Sequence, residues 1–404
     1  MHHILNSFST TNHELVIGGV PLTTLVARVG STPLYVYDRE RITDRVALLR
    51  KHLSPMLNVS YAMKANPMPA VLAHLASQVD GFDVSSLTEM TRALDTGMPA
   101  TAISFSGPGK TEKEITCAVA AGVLLHVESL RELRAVIAAG IALGQTPRIA
   151  LRINPDFAVK GVKIKMGGMT QFGVDPETVP EMLTMLTAAG LTCEGFHIFC
   201  GSQNLHADLA VTVVKDSLAL LYRLSAQLPA PPRSLVLGGG FGIPYFPGDE
   251  PLDIAAVGKG LQPLLTEAKA HFPEAVIGME LGRYLVGEAG VYVARVIDTK
   301  TVREKTFVVT DGGLHHHLPA SGNFGQFIRR NYPVAIGNRM NTPATEIVSI
   351  VGPLCTTLDL LADSVQLPHV SIGDLVVVFQ SGAYGLTASP LDFLSHPHPV
   401  EVLV

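Results

Sequence analysis

The segment Val59-Ser60-Tyr61-Ala62-Met63-Lys64-Ala65-Asn66-Pro67 has the pattern of a short apolar strand that carries a lysine at its end. The pair Asn66-Pro67 then predicts a turn. A lysine is rarely placed at such a strand tip for packing, because burial of an ammonium group is costly unless a partner neutralises it. A desolvated lysine amine can lose its proton and form a Schiff base with an aldehyde. Taken alone, Lys64 fits a side chain that reaches the surface from a barrel rim, so its role depends on the rest of the chain.

A regular alternation of strands and helices begins at this segment. Two of the helical segments open with the capping-box sequences Ser86-Leu87-Thr88-Glu89 and Ser129-Leu130-Arg131-Glu132. The predicted apolar strands are residues 59–63, 82–84, 103–105, 124–127, 149–153, 195–198, 235–237 and 276–279. Eight strands that alternate with helices indicate an α/β fold in which a parallel sheet closes into a (β/α)8 barrel. We expect this barrel to span residues 36–284.

The chain after Glu280 has a different pattern. Strand-like runs are predicted at residues 291–296, 306–310, 345–351 and 375–379, with glycine-containing turn signals between them. This pattern predicts a C-terminal all-β domain over residues 285–404. Residues 1–35 precede the barrel alternation, and we expect them to form an N-terminal segment that joins the β-domain.

The composition restricts the class of protein. The chain has 404 residues, of which 47% are apolar and 16% charged, so it is globular rather than disordered. The net charge of −5 without a basic run argues against nucleic acid or an anionic membrane as the main partner. The four cysteines lack the spacing of a disulfide framework. With neither a signal peptide nor a membrane-spanning run, a soluble, cytoplasmic protein is expected.

Polar residues and glycines occur where the predicted barrel strands end. In a (β/α)8 barrel the C-terminal ends of the strands carry the chemistry, so these residues are expected to share one site. They are Lys64, Asp83, Arg152, His197, the run Gly238-Gly239-Gly240-Phe241-Gly242 and the run Glu280-Leu281-Gly282-Arg283.

Each of these residues also has an ordinary structural interpretation. Asp83 would suit the N-terminus of a helix, and Arg152 would suit an ion pair inside the barrel mouth. A single histidine on an apolar strand, such as His197, is more often a satisfied core residue than a catalyst. A glycine run alone is weak support for phosphate binding, although its place after a strand lets backbone amides surround a phosphate.

Together, a Schiff-base lysine, a phosphate cradle and a buried acid are typical of a site for pyridoxal 5′-phosphate. Lys64 would bind the aldehyde of this cofactor, and Glu280 would keep its pyridine nitrogen protonated. His197 would lie flat on the ring. The bond that stands perpendicular to the ring plane is the one that breaks, so the orientation of the substrate decides between decarboxylation and racemisation.

Seven motifs occur in an order that resembles a known family, the fold-type III decarboxylases of diaminopimelate, ornithine and arginine. The resemblance covers nearly the whole chain. The motifs are Tyr61-Ala62-Met63-Lys64-Ala65-Asn66, Phe82-Asp83-Val84-Ser85-Ser86, His197 with Gly201-Ser202, the glycine run 238–242, residues 280–283, Gly352-Pro353-Leu354-Cys355 and Gly382-Ala383-Tyr384-Gly385.

The resemblance implies an alanine-racemase-like barrel, a C-terminal β-domain and a homodimer with active sites at the interface. It assigns Lys64, His197 and Glu280 the roles given above and places Asp83 and Arg152 in the cofactor site. Cys355 of the partner subunit would protonate the substrate carbanion after carbon dioxide leaves. The residues around the cofactor phosphate would be Ser202, Gly239, Gly240, Gly282, Arg283 and Tyr384.

The chain departs from the diaminopimelate pattern at two places. Cys355 is followed by Thr356-Thr357-Leu358-Asp359 instead of the family's Glu-Ser-Gly-Asp, so the glutamate that contacts the distal ammonium is missing. The run His315-His316-His317 stands in a segment where the family carries an arginine for the distal carboxylate. Thr356 and His317, together with Arg283, are therefore expected to contact a substrate whose distal end is uncharged or leaves the pocket.

These departures resemble the branch that contains the butirosin-pathway glutamyl-[acyl carrier protein] decarboxylase. This resemblance implies an aminoacyl group tethered to an acyl carrier protein as the substrate, since a tethered group has no free distal carboxylate. A metal site at His315–His317 is a weaker hypothesis, because adjacent strand residues face alternately, and none is expected.

Other functions stay open at this point. A decarboxylase of a free diamino acid or siderophore precursor is the main alternative. A racemase would use the same cofactor but would need proton donors on both faces of its ring. A non-catalytic cofactor-binding or carrier-docking protein, or a phosphosugar enzyme without the cofactor, would also suit a barrel.

Overall fold

All the predicted barrel strands form one closed parallel barrel in the computed structural model, which describes residues 3–157, 164–165, 170–326 and 328–404. Within these residues the strands are β1 (Thr10–Thr11), β2 (Glu14–Ile17), β3 (Val20–Pro21), β4 (Leu34–Tyr37), β5 (Leu57–Ala62), β6 (Gly81–Val84), β7 (Ile103–Phe105), β8 (Leu124–Val127), β9 (Arg148–Ile153), β10 (Ile164–Lys165), β11 (Gly195–Ile198), β12 (Gly201–Ser202), β13 (Ser234–Gly239), β14 (Val276–Leu281), β15 (Gly290–Val302), β16 (Lys305–Thr310), β17 (Val334–Ile336), β18 (Glu346–Val351), β19 (Leu360–Leu367), β20 (Leu375–Val378) and β21 (Val400–Leu403).

The α-helices in the described part of the chain mostly connect consecutive barrel strands. They are α1 (Leu22–Val29), α2 (Arg39–His52), α3 (Pro69–Leu75), α4 (Leu87–Asp95), α5 (Glu112–Ala121), α6 (Leu130–Leu143), α7 (Val179–Ala188), α8 (Ala207–Ser225), α9 (Ile254–His271) and α10 (Arg283–Val286). Among the residues with described structure, no helix is both long and apolar enough to span a bilayer.

The barrel strands follow the order β5-β6-β7-β8-β9-β11-β13-β14, and β14 pairs with β5 to close the ring. Strands such as β8 and β11 are buried along their whole length, as expected where one face meets the barrel interior and the other meets the helices. The register between β13 and β14 shifts after Val236, and the shift places Gly239 opposite Glu280. The predicted α/β barrel is therefore confirmed.

The second compact unit is rich in β-structure, as predicted. Its main sheet has the order β17-β20-β15-β16-β18-β19, and β4 joins it by pairing with both β15 and β21. Its apolar core combines N-terminal side chains such as Leu15 and Leu22 with side chains of β15 and β20 such as Val293 and Val377. The strands β17, β19 and β21 were not predicted, because each is short or alternates polar and apolar residues without a continuous apolar run.

The structure divides the chain at different residues from the predicted limits of 36 and 284. The unit that contains the barrel comprises residues 44–243 and 251–285. The β-rich unit comprises residues 1–43, 244–250 and 286–404. The predicted limit at residue 36 falls inside β4, whose hydrogen bonds to β15 and β21 place the whole strand in the β-rich unit.

The helix caps of the barrel differ in one respect from the predicted capping boxes. Ser86 and Ser129 each accept a hydrogen bond from the backbone N–H three residues later, as predicted. Glu89 and Glu132 do not complete the boxes, because they accept hydrogen bonds from Ser85 and from residues of neighbouring loops instead. A full capping box occurs at Thr111 and Glu114, where the side chain of each residue accepts from the other's backbone N–H.

We expect Thr111→Ala to lower the free energy of unfolding of the barrel unit by about 1 kcal/mol, because the helix loses its N-terminal acceptor. The urea midpoint followed by circular dichroism measures this change. Thr116→Ala is the matched control, since Thr116 lies exposed inside the same helix and bonds only to the carbonyl of Glu112. Equal midpoints for the two variants would contradict a stabilising role of the cap.

Candidate active site

The predicted site residues are distributed over both units. The barrel unit contains Lys64, Asp83, Arg152, His197, Ser202, Gly239, Gly240, Glu280, Gly282 and Arg283. The β-rich unit contains His317, Cys355, Thr356 and Tyr384.

Four ionisable side chains occupy one layer inside the barrel. Asp83, His126, His197 and Glu280 lie on β6, β8, β11 and β14, which are alternate strands of the closed ring. Each takes the penultimate position of its strand. Alternate strands supply the four side chains of one layer in this fold, and apolar residues usually fill it. All four side chains are buried here, and His126 is the member that the sequence analysis missed.

The two histidines and Glu280 are in direct contact. The Nε2 atom of His197 lies 3.1 Å from the Oε2 atom of Glu280. The Nδ1 atom of His126 lies 3.9 Å from the Oε1 atom of the same carboxyl group. The rings of His126 and His197 stack with centroids 4.3 Å apart and planes inclined by 8°. Burial lowers the pKa of both imidazoles well below its ordinary value, so both are neutral at pH 7.

Asp83 is held by two serine hydroxyls. Ser106 Oγ donates to Asp83 Oδ1 over 2.7 Å, and Ser104 Oγ lies 3.3 Å from the same oxygen. Ser106 Oγ is also 2.8 Å from His126 Nδ1. A chain of hydrogen bonds therefore joins Asp83 to the histidine stack.

The two carboxyl groups of the layer have raised pKa values. Burial raises the pKa of Asp83 to about 7, and the nearby charge of Glu280 adds to this effect. Burial likewise raises the pKa of Glu280 to about 7, while the positive charges of Lys64 and Arg152 oppose the rise. These carboxyl groups titrate near neutral pH, which is typical of groups that exchange protons with a ligand.

The contact of two histidines with a carboxylate does not amount to a metal centre. Donor atoms of His126, His197 and Glu280 lie within 4.8 Å of one another. Imidazole lone pairs lie in the ring plane, however, and parallel stacked rings do not direct them to a common point. His126 Nδ1 is also engaged with Ser106. The geometry fits a stacking surface and a proton-holding site rather than a coordinated ion.

Arg152 forms the internal ion pair that was the ordinary interpretation of this residue. Its guanidinium donates to Glu128 Oε1 over 2.8 Å, and both side chains are buried. Burial alone would raise the pKa of Glu128, but Arg152 and Lys110 together lower it below its usual value. Lys110 in turn contacts Glu132 over 3.1 Å. Neither Glu128 nor Lys110 was predicted from the sequence.

Lys64 follows β5 in a single helical turn, Met63–Ala65. Its side chain is exposed in the single chain, although its neighbours Met63 and Ala65 are buried. Strand β5 ends at Ala62, two residues before Lys64, so the strand itself does not bury the amine in the single chain. The Nζ atom lies 5.8 Å from the ring centroid of Phe199.

The glycine run after β13 lets two backbone segments approach closely. Gly240 has a φ of +69°, and a Cβ atom there would lie 2.0 Å from the carbonyl oxygen of Gly201. A Cβ atom on Gly239 would lie 2.2 Å from the carbonyl oxygen of Glu280. Only glycine therefore fits at positions 239 and 240. The close approach at Gly240 keeps the segment that contains Ser202 beside the glycine run.

In the β-rich unit, Asp359 fixes the loop that carries Cys355. Its two carboxyl oxygens accept hydrogen bonds from the backbone N–H groups of Leu314 and Leu354, over 2.6 and 2.8 Å. A Cβ atom on Gly313 or Gly352 would lie within 2.4 Å of this carboxyl group. The side chain of Cys355 is exposed, unlike those of Cys193 and Cys200.

The three consecutive histidines are buried in a turn and do not lie on a strand. The backbone N–H groups of His316 and His317 both donate to the carbonyl of Gly313. His317 Nε2 lies 2.8 Å from Ser381 Oγ, and His317 Nδ1 accepts from the backbone of Ala320. Both ring nitrogens of His317 are therefore engaged within the unit, so its expected contact with substrate stays a prediction.

The raised pKa of Glu280 has a consequence for stability in the protein free of small molecules. A carboxyl group with a folded pKa of about 7 and an ordinary value of 4.5 keeps its proton in the folded state after the unfolded state has lost it. Stability therefore falls as the pH rises from 5 to 7. We expect Glu280→Gln to remove this fall, so the variant gains in urea midpoint relative to the wild type between pH 5 and pH 7.

The matched control is Glu274→Gln, which changes an exposed glutamate after α9. Its midpoint should differ from that of the wild type by the same amount at pH 5, 6, 7 and 8. A parallel pH dependence for Glu280→Gln and the wild type would contradict the assignment of the titrating group.

Comparisons with known proteins give the family. The family model described as "Pyridoxal-dependent decarboxylase, pyridoxal binding domain" matches residues 39–287. The chain is 36% identical over 390 residues to the L-glutamyl-[BtrI acyl-carrier protein] decarboxylase of Niallia circulans, a match that covers 95% of this chain and 90% of the relative. It is 33% identical to the 2-[(L-alanin-3-ylcarbamoyl)methyl]-2-hydroxybutanedioate decarboxylase of Staphylococcus aureus, over 90% of this chain and 92% of the relative.

Solved structures give the same result. The diaminopimelate decarboxylase of Helicobacter pylori in complex with L-lysine aligns with a TM-score of 0.80 and 27% sequence identity, over 95% of this chain and 94% of that chain. The motifs at the barrel mouth, the buried carboxyl and imidazole groups and the family match agree. This chain belongs to the family of pyridoxal-dependent decarboxylases of the diaminopimelate and ornithine type, and it is a pyridoxal 5′-phosphate-dependent carboxy-lyase.

Proposed function

We propose that this enzyme removes the α-carboxylate from a glutamyl-like aminoacyl group carried by an acyl carrier protein, as a step in a biosynthetic pathway. The observation that carries this proposal is the 36% identity, over 95% of the chain, to a decarboxylase that is named for such a substrate. The absence of charged residues at Thr356 and at the histidine turn supports it, since an esterified distal carboxylate needs no charged partner.

The barrel site fits the cofactor. Glu280 Oε1, Asp83 Oδ2 and His197 Nδ1 are buried and have no hydrogen-bond partner among the described residues. Buried polar atoms are nearly always paired, so these atoms are suited to the polar groups of a ligand. A glycine run that permits close backbone approach lies on the neighbouring strand. Pyridoxal phosphate offers the matching groups, a ring nitrogen and a phosphate.

We assign the barrel residues as follows. Lys64 binds the aldehyde carbon, His197 supports the ring, and Glu280 holds the proton on the ring nitrogen. Asp83, which accepts a hydrogen bond from Ser106, and Arg152, which pairs with Glu128, determine the charge around the cofactor. The phosphate is held by Ser202, Gly239, Gly240, Gly282, Arg283 and Tyr384.

When bound, pyridoxal phosphate withdraws electrons from the substrate Cα and so stabilises the negative charge left by departing carbon dioxide. The protein supplies the orientation and the proton. Cys355 is exposed, as a proton donor to substrate has to be, and we assign it this role in the partner subunit's site. Thr356, next to Cys355, is assigned to the distal end of the substrate, with Arg283 and His317 as further contacts.

The remaining assignments concern assembly and location. We propose that the enzyme is a cytoplasmic homodimer in which each site uses residues of both subunits. The proposed functional division is a cofactor-binding barrel over residues 36–284 and a β-domain over residues 285–404, joined by residues 1–35, that supplies Cys355 and Thr356.

We expect carbon dioxide release from the cofactor-loaded enzyme with glutamyl-carrier protein, but not with free glutamate or meso-diaminopimelate, because the carrier replaces the missing charged contacts. Release of labelled carbon dioxide from the three substrates in parallel measures this. Lys64→Ala is the control and should release none from any of them. Release from diaminopimelate would overturn the proposed substrate and favour a free diamino acid.

Mixing two inactive variants tests the shared site. We expect Lys64→Ala and Cys355→Ala to be inactive alone, because each dimer then lacks one essential group in both sites. Co-expression with different affinity tags should restore about a quarter of the wild-type activity, since half of the dimers would be mixed and contain one intact site. Lys64→Ala paired with the Lys64→Ala/Cys355→Ala double variant is the control. No activity in purified mixed dimers would contradict the shared site.

A further inference from the structure

His126 completes the barrel layer that contains three of the predicted cofactor residues, yet no role has been given to it. It lies on β8, two strands from His197 on β11, with β9 between them. Ala150 of β9 is the register partner of His126, so the neighbouring position on β9 carries only a small side chain. The imidazole of His126 therefore reaches the ring of His197 across the barrel interior, with the planes nearly parallel at 4.3 Å.

The stacked contact restricts the orientation of His197. The two imidazole planes are inclined by only 8°, so a rotation of the His197 ring would lose this face-to-face contact. The other constraint on His197 is the contact of Nε2 with Glu280. One hydrogen bond and one stacked surface together fix both the position and the plane of the imidazole.

The hydrogen bonds of His126 determine its tautomer. The Ser106 hydroxyl has one proton, which it donates to the Asp83 carboxylate at 2.7 Å. The contact of 2.8 Å between Ser106 Oγ and His126 Nδ1 then requires the proton to be on Nδ1. His126 Nε2 has no partner among the described residues, which suits the nitrogen that carries no proton. His126 thus donates to Ser106, and Ser106 donates to Asp83.

We infer that His126 is a positioning residue of the decarboxylase site, which braces the ring plane of His197 by stacking and holds Asp83 through Ser106. It contacts neither the substrate nor the reacting atoms. Its contribution goes to cofactor binding, and this step rests on the proposed function, which assigns His197 and Asp83 to the cofactor site. This inference is independent of the substrate proposed above, since it concerns the barrel layer alone.

Two substitutions separate the two contacts. His126→Phe keeps an aromatic ring for stacking but has no donor for Ser106. His126→Asn keeps an N–H donor near the position of Nδ1 but has no ring. We expect each to raise the dissociation constant of pyridoxal phosphate about tenfold, the effect of losing one such contact. His126→Ala, which loses both, should raise it about a hundredfold.

Titration of the cofactor-free protein with pyridoxal phosphate, followed by the visible absorbance of the bound cofactor, measures these constants without substrate. His369→Phe is the matched control, since that histidine is 75% exposed in the β-rich unit. Circular dichroism shows whether each variant is folded. If His126→Ala does not fold, the dissociation constants of His126→Phe and His126→Asn decide the question, because each is expected to rise about tenfold.

Unchanged dissociation constants and absorbance spectra in folded variants would overturn the inference. A lower melting temperature with unchanged cofactor binding would overturn it as well, because His126 would then be a packing residue only. Loss of activity with normal cofactor binding would also overturn the inference, because His126 would then act in the reaction and not in cofactor binding.

Discussion

The burial of Glu280 at the end of a barrel strand is the constraint on which the site depends. The ionised form of a carboxyl group that is only 6% exposed would be strongly disfavoured without a partner to compensate its charge. Compensation comes from His197 at 3.1 Å and from the positive charges of Lys64 and Arg152. The result is a group that holds a proton near neutral pH, beside a flat imidazole surface. Both properties follow from one barrel layer built of polar side chains instead of apolar ones.

Charge in the barrel mouth is separated into two zones. The inner layer contains imidazoles whose pKa is lowered and carboxyl groups whose pKa is raised to about 7, so burial disfavours the charged form of every member. Beside it, Arg152 with Glu128 and Lys110 with Glu132 form buried ion pairs. Removing one partner of such a pair would leave an uncompensated buried charge and would therefore destabilise the loops that follow the strands.

Most of the barrel was predictable because apolar runs of strand length alternate with capped helices. Asp83, His197 and Glu280 were identified because each breaks such a run near its end. His126 has the same penultimate position in Leu124–Val127, but a lone histidine in an apolar strand is ordinarily a core residue. Recognising it required the observed strand ends, which put all four residues at the penultimate position of alternate strands. The burial of the histidine turn was not predictable either, since its contacts come from distant segments.

The carboxylate of Asp359 links two segments that are distant in sequence. One of its oxygens binds the turn that leads into the histidine run, and the other binds the loop that carries Cys355 and Thr356. These are the two segments that the sequence predicts to differ from the diaminopimelate decarboxylase pattern. Since they share an anchor and pack through Gly313 and Gly352, a change in one alters the setting of the other. We therefore expect that substrate specificity diverged by replacement of both segments together. To convert the substrate specificity of a relative, both segments would have to be transferred as a unit.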